Sequence, residues 1–152
     1  MLRFTANLTM LFNEVDFLDR FAAATKAGFK AVEFLFPYAF SAEELKSRLS
    51  KNQLQLVLHN LPAGDWDAGE RGIACHPNRV DEFRAGVTKA IEYAKILGVG
   101  QLNCLAGKVP EGVKLESVHA TFVENLRYAA SELKKANLRL LIEPIKIGRA
   151  HV

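Results

Sequence analysis

The residues best suited to chemistry are polar side chains that follow apolar runs, where predicted strands end. They are Asn7, Glu33, His59, Asn60, Asn103 and Glu143. In α/β proteins, ligands bind at the carboxyl ends of parallel strands, where side chains from several strands meet at one edge. A histidine placed there, as His59 would be, can hydrogen-bond a substrate oxygen or move a proton. The alternative is that these residues only satisfy neighbouring backbone and side-chain groups.

Glu143 is the leading candidate because of the stretch that carries it, residues 138–145. The apolar run before the glutamate predicts a strand covered on both faces, as in a parallel sheet. Pro144 cannot donate a ladder hydrogen bond, so regular pairing should stop where the carboxylate emerges. The position predicts a carboxylate that acts on a ligand. The alternative is that Glu143 is simply the first polar residue of a loop.

The connection over residues 60–77 contains a second group of candidates. It is longer than a strand-to-helix loop requires, which favours a function such as a lid. Glu70 and Arg71 lie within it, and arginine binds carboxylates through two parallel hydrogen bonds. We therefore expect these two residues to contact a carboxylate substrate, with a solvated loop charge pair as the alternative. Asn7 and Asn103 are expected to hydrogen-bond at the rim of the sheet, to substrate or within the protein.

Strands and helices must alternate along the chain to position these groups. The predicted strands are 4–8, 31–36, 54–59, 101–106 and 138–145, and the predicted helices are 15–27, 41–51, 78–97 and 115–136. The pattern Ser41-Ala-Glu-Glu44 is a capping box. Gly28 and Gly98 lie where left-handed residues end helices.

This alternation predicts parallel pairing with right-handed crossovers, in a (β/α)8 barrel or a doubly wound sheet. No GxGxxG or P-loop pattern follows a strand, which favours the barrel. Since such a barrel takes about 250 residues, five strands predict about five-eighths of one. The two outer strands would be left as edges, so we expect a partly folded or self-associating chain.

The composition and the charge pattern limit the kinds of binding partner to expect. The chain of 152 residues is 49% hydrophobic and carries a net charge of +3 from 20 basic and 17 acidic residues. The charges form no basic stripe, so nucleic acid is not the expected partner. No apolar run approaches the roughly 18 residues of a membrane span. Cys75 and Cys104 lack metal or disulfide spacing, which together with the missing signal peptide predicts a cytoplasmic protein.

Six segments resemble the hydroxypyruvate isomerase family, within the xylose isomerase-like (β/α)8 barrels. They are Arg3-Phe-Thr-Ala-Asn-Leu-Thr-Met-Leu-Phe12, Gly28-Phe-Lys-Ala-Val-Glu-Phe-Leu-Phe-Pro-Tyr38, His59-Asn-Leu-Pro-Ala-Gly-Asp-Trp66, Ala68-Gly-Glu-Arg-Gly-Ile-Ala-Cys75, Glu124-Asn-Leu-Arg-Tyr-Ala-Ala130 and Leu141-Ile-Glu-Pro-Ile145. The loop that starts at His59 is the most specific. A sister group, the 2-oxo-tetronate isomerases, shares the first two segments but tends to differ there.

The resemblance implies conversion of hydroxypyruvate to 2-hydroxy-3-oxopropanoate, with a link to glyoxylate metabolism. A proton moves between adjacent carbons through an enediol, catalysed by a glutamate at the end of strand five and another at the end of strand eight. Glu143 matches the first. In related barrels the same carboxylates hold a divalent cation, Mg²⁺ or Mn²⁺, and the resemblance leaves open whether this subfamily needs it.

Residues 146–152 depart from the family pattern and resemble a sequencing adapter read in one frame, so we expect a non-native tail after a barrel segment over 1–145. Without the second glutamate, the chain itself is expected to be inactive. Three alternatives remain: a 2-oxo-tetronate isomerase or sugar epimerase on the same barrel, a three-metal apurinic endonuclease-like barrel, and a half-barrel that acts only as an interaction module. The endonuclease reading expects several histidines at strand ends, where only His59 qualifies.

Overall fold

The computed structural model describes residues 4–143. Within this range, strands and helices alternate as the apolar periodicity predicts. The strands are β1 (Ala6–Asn7), β2 (Ala31–Glu33), β3 (Gln55–Leu56), β4 (His59–Asn60), β5 (Gln101–Cys104) and β6 (Arg139–Ile142), and the helices are α1 (Arg20–Lys26), α2 (Ala42–Lys51), α3 (Val80–Leu97) and α4 (Leu115–Lys135). Short 3-10 helices, Phe17–Asp19 and Pro77–Arg79, precede α1 and α3.

The strands form two parallel three-stranded sheets whose order follows the chain, β1-β2-β3 and β4-β5-β6. A doubly wound sheet would reverse its strand order at a switch point. Sequential parallel order is the arrangement of a barrel, and the chain is therefore a partial β/α barrel. β1 and β6 are its outer strands within the described range, and they carry the exposed Phe4 and Ile142 at or beside them. Self-association through these edges stays a prediction.

The prediction of one strand over residues 54–59 was wrong, because two short strands replace it. Val57 N donates to Val32 O at 2.9 Å, whereas Leu61 N donates to Asn103 O at 2.8 Å. The third strand of the barrel thus pairs first with β2 and then with β5. Asn60 N still donates to Leu35 O at 2.9 Å, which joins the two sheets across the break. A break of this kind lets a sheet curve towards closure.

Matching register positions show which face of each sheet is covered by helices. Ala6, Val32 and Leu56 lie side by side in the first sheet, and all three are buried in the core with residues of α1 and α2. In the second sheet, Leu102 and Leu140 are side by side and pack in the same core, together with Ala129 and Leu133 of α4. The alternate residues therefore face the other side of each sheet.

Local signals at helix ends were largely confirmed. Ser41 Oγ accepts from Glu44 N at 3.2 Å, and α2 follows directly. Gly28 and Gly98 have φ of 92° and 74°, as left-handed helix ends require. The first α-helix begins at Arg20, later than predicted, because a 3-10 helix over Phe17–Asp19 precedes it, and Asp16 makes no side-chain capping bond there.

The expected stop at Pro144 and the tail 146–152 lie outside the described residues. Across residues 4–143, none of the helices combines the length and the apolar character that crossing a bilayer demands.

Candidate active site at the carboxyl ends of the strands

A hydrogen-bonded network of three polar residues lies at the carboxyl ends of β4, β5 and β6. Asn60 and Asn103 occupy matching positions on neighbouring strands, and Asn103 Nδ2 lies 3.2 Å from Asn60 Oδ1. The same Nδ2 donates to Glu143 Oε2 at 3.0 Å. Asn103 also matches Leu141, two residues before Glu143, so all three side chains lie on one face of the sheet. We call Asn60, Asn103 and Glu143 the rim network.

Glu143 therefore lies where the sequence predicted a carboxylate, beside Asn103 and on the exposed side of the strand ends. Within residues 4–143, the bond from Asn103 is the one described side-chain hydrogen bond that Glu143 accepts, and the Glu143 side chain is otherwise exposed. Such a carboxylate is held in direction by one donor and keeps lone pairs that can accept a proton.

His59 lies on the opposite face of the sheet. It matches Leu102 in register and is completely buried. Its ring centroid is 6.0 Å from that of Tyr38, which in turn is 5.2 Å from Tyr93 of α3. The structure therefore brings Asn60, rather than His59, to Asn103 and Glu143.

The environment of His59 fixes its protonation. Its Nδ1 is 3.1 Å from Asn60 O, which also accepts from the Tyr38 hydroxyl at 2.5 Å. A carbonyl oxygen only accepts, so Nδ1 carries the hydrogen and Nε2 is bare. Burial lowers the pKa of His59 to about 4, although the bond to the Asn60 carbonyl opposes this. His59 is thus a neutral imidazole at neutral pH, and a role in binding substrate stays a prediction.

A second polar pair lies at the ends of β1 and β2. Asn7 Nδ2 donates to Glu33 Oε1 at 3.1 Å, and Asn7 Oδ1 accepts from Thr9 N at 3.0 Å. Both Asn7 and Glu33 are half-buried at matching register positions. Glu33 is thus held by the side-chain amide of Asn7 on the neighbouring strand.

Glu70 and Arg71 are held within the long connection. Glu70 Oε1 pairs with Arg79 Nη1, and Glu70 Oε2 accepts from Asp65 N. Arg71 Nη1 donates to Trp66 O at 2.9 Å, and its guanidinium lies 4.0 Å from the centroid of the Trp66 ring. Trp66 in turn packs on Phe36 at 4.9 Å between centroids. These contacts order the loop, and substrate contact by either residue stays a prediction.

Arg79 also binds Glu82 through both carboxylate oxygens, at 2.6 Å each. The hydrogen bonds from Arg79 lower the pKa of Glu70 and that of Glu82, and the bond from Asp65 N adds to the effect on Glu70. We call Glu70, Arg79 and Glu82 the loop ion cluster.

The sequence predicted both His59 and Asn60 at a strand end, and substrate contact was expected of His59, which begins the loop that most resembles the family. From the buried Leu54 and Leu56, alternation places residue 59 at the rim and residue 60 against the helices. The break between β3 and β4 interrupts this alternation by one residue. As a result, His59 faces the helices and Asn60 faces the rim. The usable signal was the cluster of asparagines at strand ends, in which Asn60 and Asn103 are matched.

The comparisons with known proteins agree on the family. The family model described as xylose isomerase-like TIM barrel matches residues 21–151. The chain is 61% identical to hydroxypyruvate isomerase of Escherichia coli and 48% identical to 2-oxo-tetronate isomerase of Cupriavidus necator. Each match covers 95% of this chain and 56% of the relative. The chain thus spans about half the length of the curated relatives it matches.

A solved structure from Brucella melitensis, described as an AP endonuclease of family 2, superposes with a TM-score of 0.91 at 46% identity. The match covers 96% of this chain and 56% of that one. A sugar phosphate isomerase/epimerase from Parabacteroides distasonis superposes with a TM-score of 0.66 at 13% identity, which shows the shared fold alone.

Proposed function

Because the chain belongs to the xylose isomerase-like TIM barrel family, we propose that it carries part of the active site of a hydroxypyruvate isomerase. The observation that supports this most is the Glu143 carboxylate, which Asn103 holds at 3.0 Å at the carboxyl ends of the strands. The curated relatives at 61% and 48% identity are both named isomerases of small hydroxy-oxo acids, and the higher of these two values belongs to the hydroxypyruvate enzyme.

In this proposal, Glu143 moves one proton between adjacent carbons. It takes the proton from C3 of hydroxypyruvate, the C–H electron pair forms the C2–C3 double bond, and the carbonyl π pair moves to the oxygen on C2. The C2–C3 π pair then takes the proton back from Glu143 at C2, and the O–H electron pair of the C3 hydroxyl forms the new carbonyl. The proton released from the C3 hydroxyl passes to the oxygen on C2, which gives 2-hydroxy-3-oxopropanoate. Asn103 keeps the carboxylate in one direction throughout, which is how oriented groups lower such barriers.

A divalent cation could polarise the carbonyl in such a reaction. Among residues 4–143, however, no three or more His, Cys, Asp or Glu side chains are grouped so that they could hold an ion. Glu143 is the one cation ligand proposed among the described residues, and one carboxylate does not make a metal site by itself. We therefore derive no step through a metal.

A graft tests the proposal directly. The segment of the E. coli isomerase that this chain matches would be replaced by the corresponding residues of this chain, and hydroxypyruvate conversion measured. We expect the graft to be active and the 152-residue chain alone to be inactive. A folded graft without activity, beside an active parent enzyme, would refute the proposal.

A 2-oxo-tetronate isomerase is the second candidate, because two such enzymes match at 48% and 46% identity. Assaying the graft with hydroxypyruvate and with a four-carbon 2-oxo acid separates the two. We expect the larger kcat/KM for hydroxypyruvate, and the reverse ratio would favour the four-carbon substrate.

A further inference from the structure

Asn60 combines deep burial with an unused hydrogen-bond donor. Asn60 is only 1% exposed, and within residues 4–143 its Nδ2 has no hydrogen-bond partner. Buried amide groups are nearly always paired, so an unpaired donor beside a candidate active site indicates a missing partner. His59 Nε2 shares this condition but lies on the other face of the sheet.

The orientation of the Asn60 amide follows from Glu143. A carboxylate only accepts hydrogen bonds, so the Asn103 group that faces Glu143 must be its Nδ2. This nitrogen has two hydrogens, and the second is directed to Asn60 at 3.2 Å. Asn60 must therefore present its Oδ1 to Asn103, since two NH₂ groups would repel each other. The Asn60 NH₂ group is turned away from Asn103 as a consequence.

Asn103 thus connects the Asn60 amide to the Glu143 carboxylate. Asn60 and Asn103 are held by backbone pairing of β4 with β5, and Leu61 N adds a bond to Asn103 O at 2.8 Å just beyond it. An N–H group fixed in advance near a base can stabilise an oxygen on which negative charge develops, because no reorganisation is needed during the reaction.

We propose that Asn60 Nδ2 donates a hydrogen bond to the C2 oxygen of an α-hydroxy carbonyl substrate, beside the Glu143 base. This inference rests on the proposed function. As Glu143 removes the proton from C3, the carbonyl π pair moves onto that oxygen, and the Asn60 N–H bond stabilises the charge without transferring its proton. Asn103 is the positioning residue that links the two groups.

The test uses the ¹⁵N-labelled 152-residue chain and follows the side-chain NH₂ signals of Asn60 and Asn103 by NMR. Asn60→Ala assigns the first pair of signals. The chain is titrated with hydroxypyruvate and, in parallel, with glycolate, which keeps the hydroxyl and carboxylate but lacks the ketone. We expect hydroxypyruvate to shift the Asn60 signals strongly, and glycolate to shift them much less.

Two variants measure the contribution to binding. Asn60→Ala removes the donor, and Asn60→Asp keeps the acceptor for Asn103 while it replaces the donor with an oxygen. We expect each to weaken hydroxypyruvate binding about tenfold or more, as loss of a buried hydrogen bond does. Asn78→Ala, at an exposed position before α3, is the matched control and should bind as the parent chain does.

The outcomes separate the two proposals. If hydroxypyruvate shifts the Asn103 signals but leaves those of Asn60 unchanged, and the folded Asn60→Asp chain binds equally well, the inference about Asn60 is wrong while the site itself stands. If hydroxypyruvate shifts neither the Asn60 nor the Asn103 signals, the inference about Asn60 is wrong as well, and the activity of the graft decides the proposed function on its own.

Discussion

The rim network and the loop ion cluster each hold a glutamate, but they use it in opposite ways. In the loop, both oxygens of Glu70 are engaged, one by Arg79 and one by Asp65 N. At the rim, Glu143 accepts from Asn103 through one oxygen and is otherwise exposed. Two acids that look alike in the sequence are therefore a structural acid and an available one.

The chemical role of a carboxylate therefore depends on which of its lone pairs the neighbouring groups leave open. Glu70 has its negative charge stabilised by Arg79, which makes it a poor proton acceptor and a good anchor for the loop. Glu143 faces a neutral amide, which orients it without neutralising it. A general base needs the second kind of environment.

The largest expected effect comes from breaking the contact that holds the loop against the rest of the barrel. Gly72 has φ of 114°, and a Cβ there would lie 2.4 Å from Leu105 O. Gly72→Ala should lower the free energy of unfolding by about 3 kcal/mol, from backbone strain and overlap together. Urea denaturation monitored by circular dichroism measures this.

Gly112→Ala is the matched control, because Gly112 also has a positive φ, 73°, but its Cβ would meet nothing within 4 Å. Its cost should be the conformational one alone, about 1 kcal/mol. Equal losses for the two variants would mean that the close approach of Gly72 to Leu105 contributes nothing.

The next largest effect is a pH dependence of stability caused by His59, which lies next to Asn60 but outside the rim network. Its pKa is about 4 in the folded chain and about 6.5 when unfolded, so the unfolded chain binds the additional proton between these values. This contribution to stability is complete above pH 6.5 and is lost as the pH falls to 4. From pH 6.5 to 5 the loss should be about 2 kcal/mol.

His59→Phe removes the titrating group, so its stability should change little over the same interval. Urea midpoints at several pH values, for both chains, provide the comparison. A parent chain that keeps its stability down to pH 5 would show that His59 is not buried as a neutral imidazole.

Much of the fold could be predicted from local sequence signals. The hydroxyl of Ser41 and the glycines at 28 and 98 fix helix ends by chemistry within a few residues, so α2 and the ends of α1 and α3 followed from the sequence. Glu143 was also predictable, since an apolar strand followed by an acid and a proline places that acid at a strand end.

The rest depends on contacts between distant residues. The break between β3 and β4 arises because one strand pairs with two different neighbours, and no single residue in 54–60 encodes it. It decides whether His59 or Asn60 reaches the rim. The pairing of Glu70 with Arg79 likewise depends on how the loop folds back on the start of α3.

A smaller loss of stability is expected when Glu70, the structural acid, is replaced. Glu70→Gln should lower the free energy of unfolding by about 1 kcal/mol at pH 7, because the Glu70 side chain is only 29% exposed and shares Arg79 with Glu82. The pKa of Glu70 is lowered by folding, so the contribution is present above its ordinary value of 4.5 and is lost as the pH falls through the folded value. The two chains should therefore become equally stable in strong acid. Glu82→Gln, at a side chain that is 52% exposed, should cost less.

The smallest effect on stability is expected for the available acid, where the effect on activity is expected to be large. Glu143→Gln makes the same chemical change as Glu70→Gln, but the side chain is exposed and an amide oxygen can still accept from Asn103. The free energy of unfolding should change by less than about 0.5 kcal/mol. In the active graft, the same substitution removes the proposed base and should lower kcat by about 100-fold or more. If Glu143→Gln instead destabilises the chain as much as Glu70→Gln and leaves kcat unchanged, then Glu143 is a structural acid too, and the contrast between rim and loop disappears.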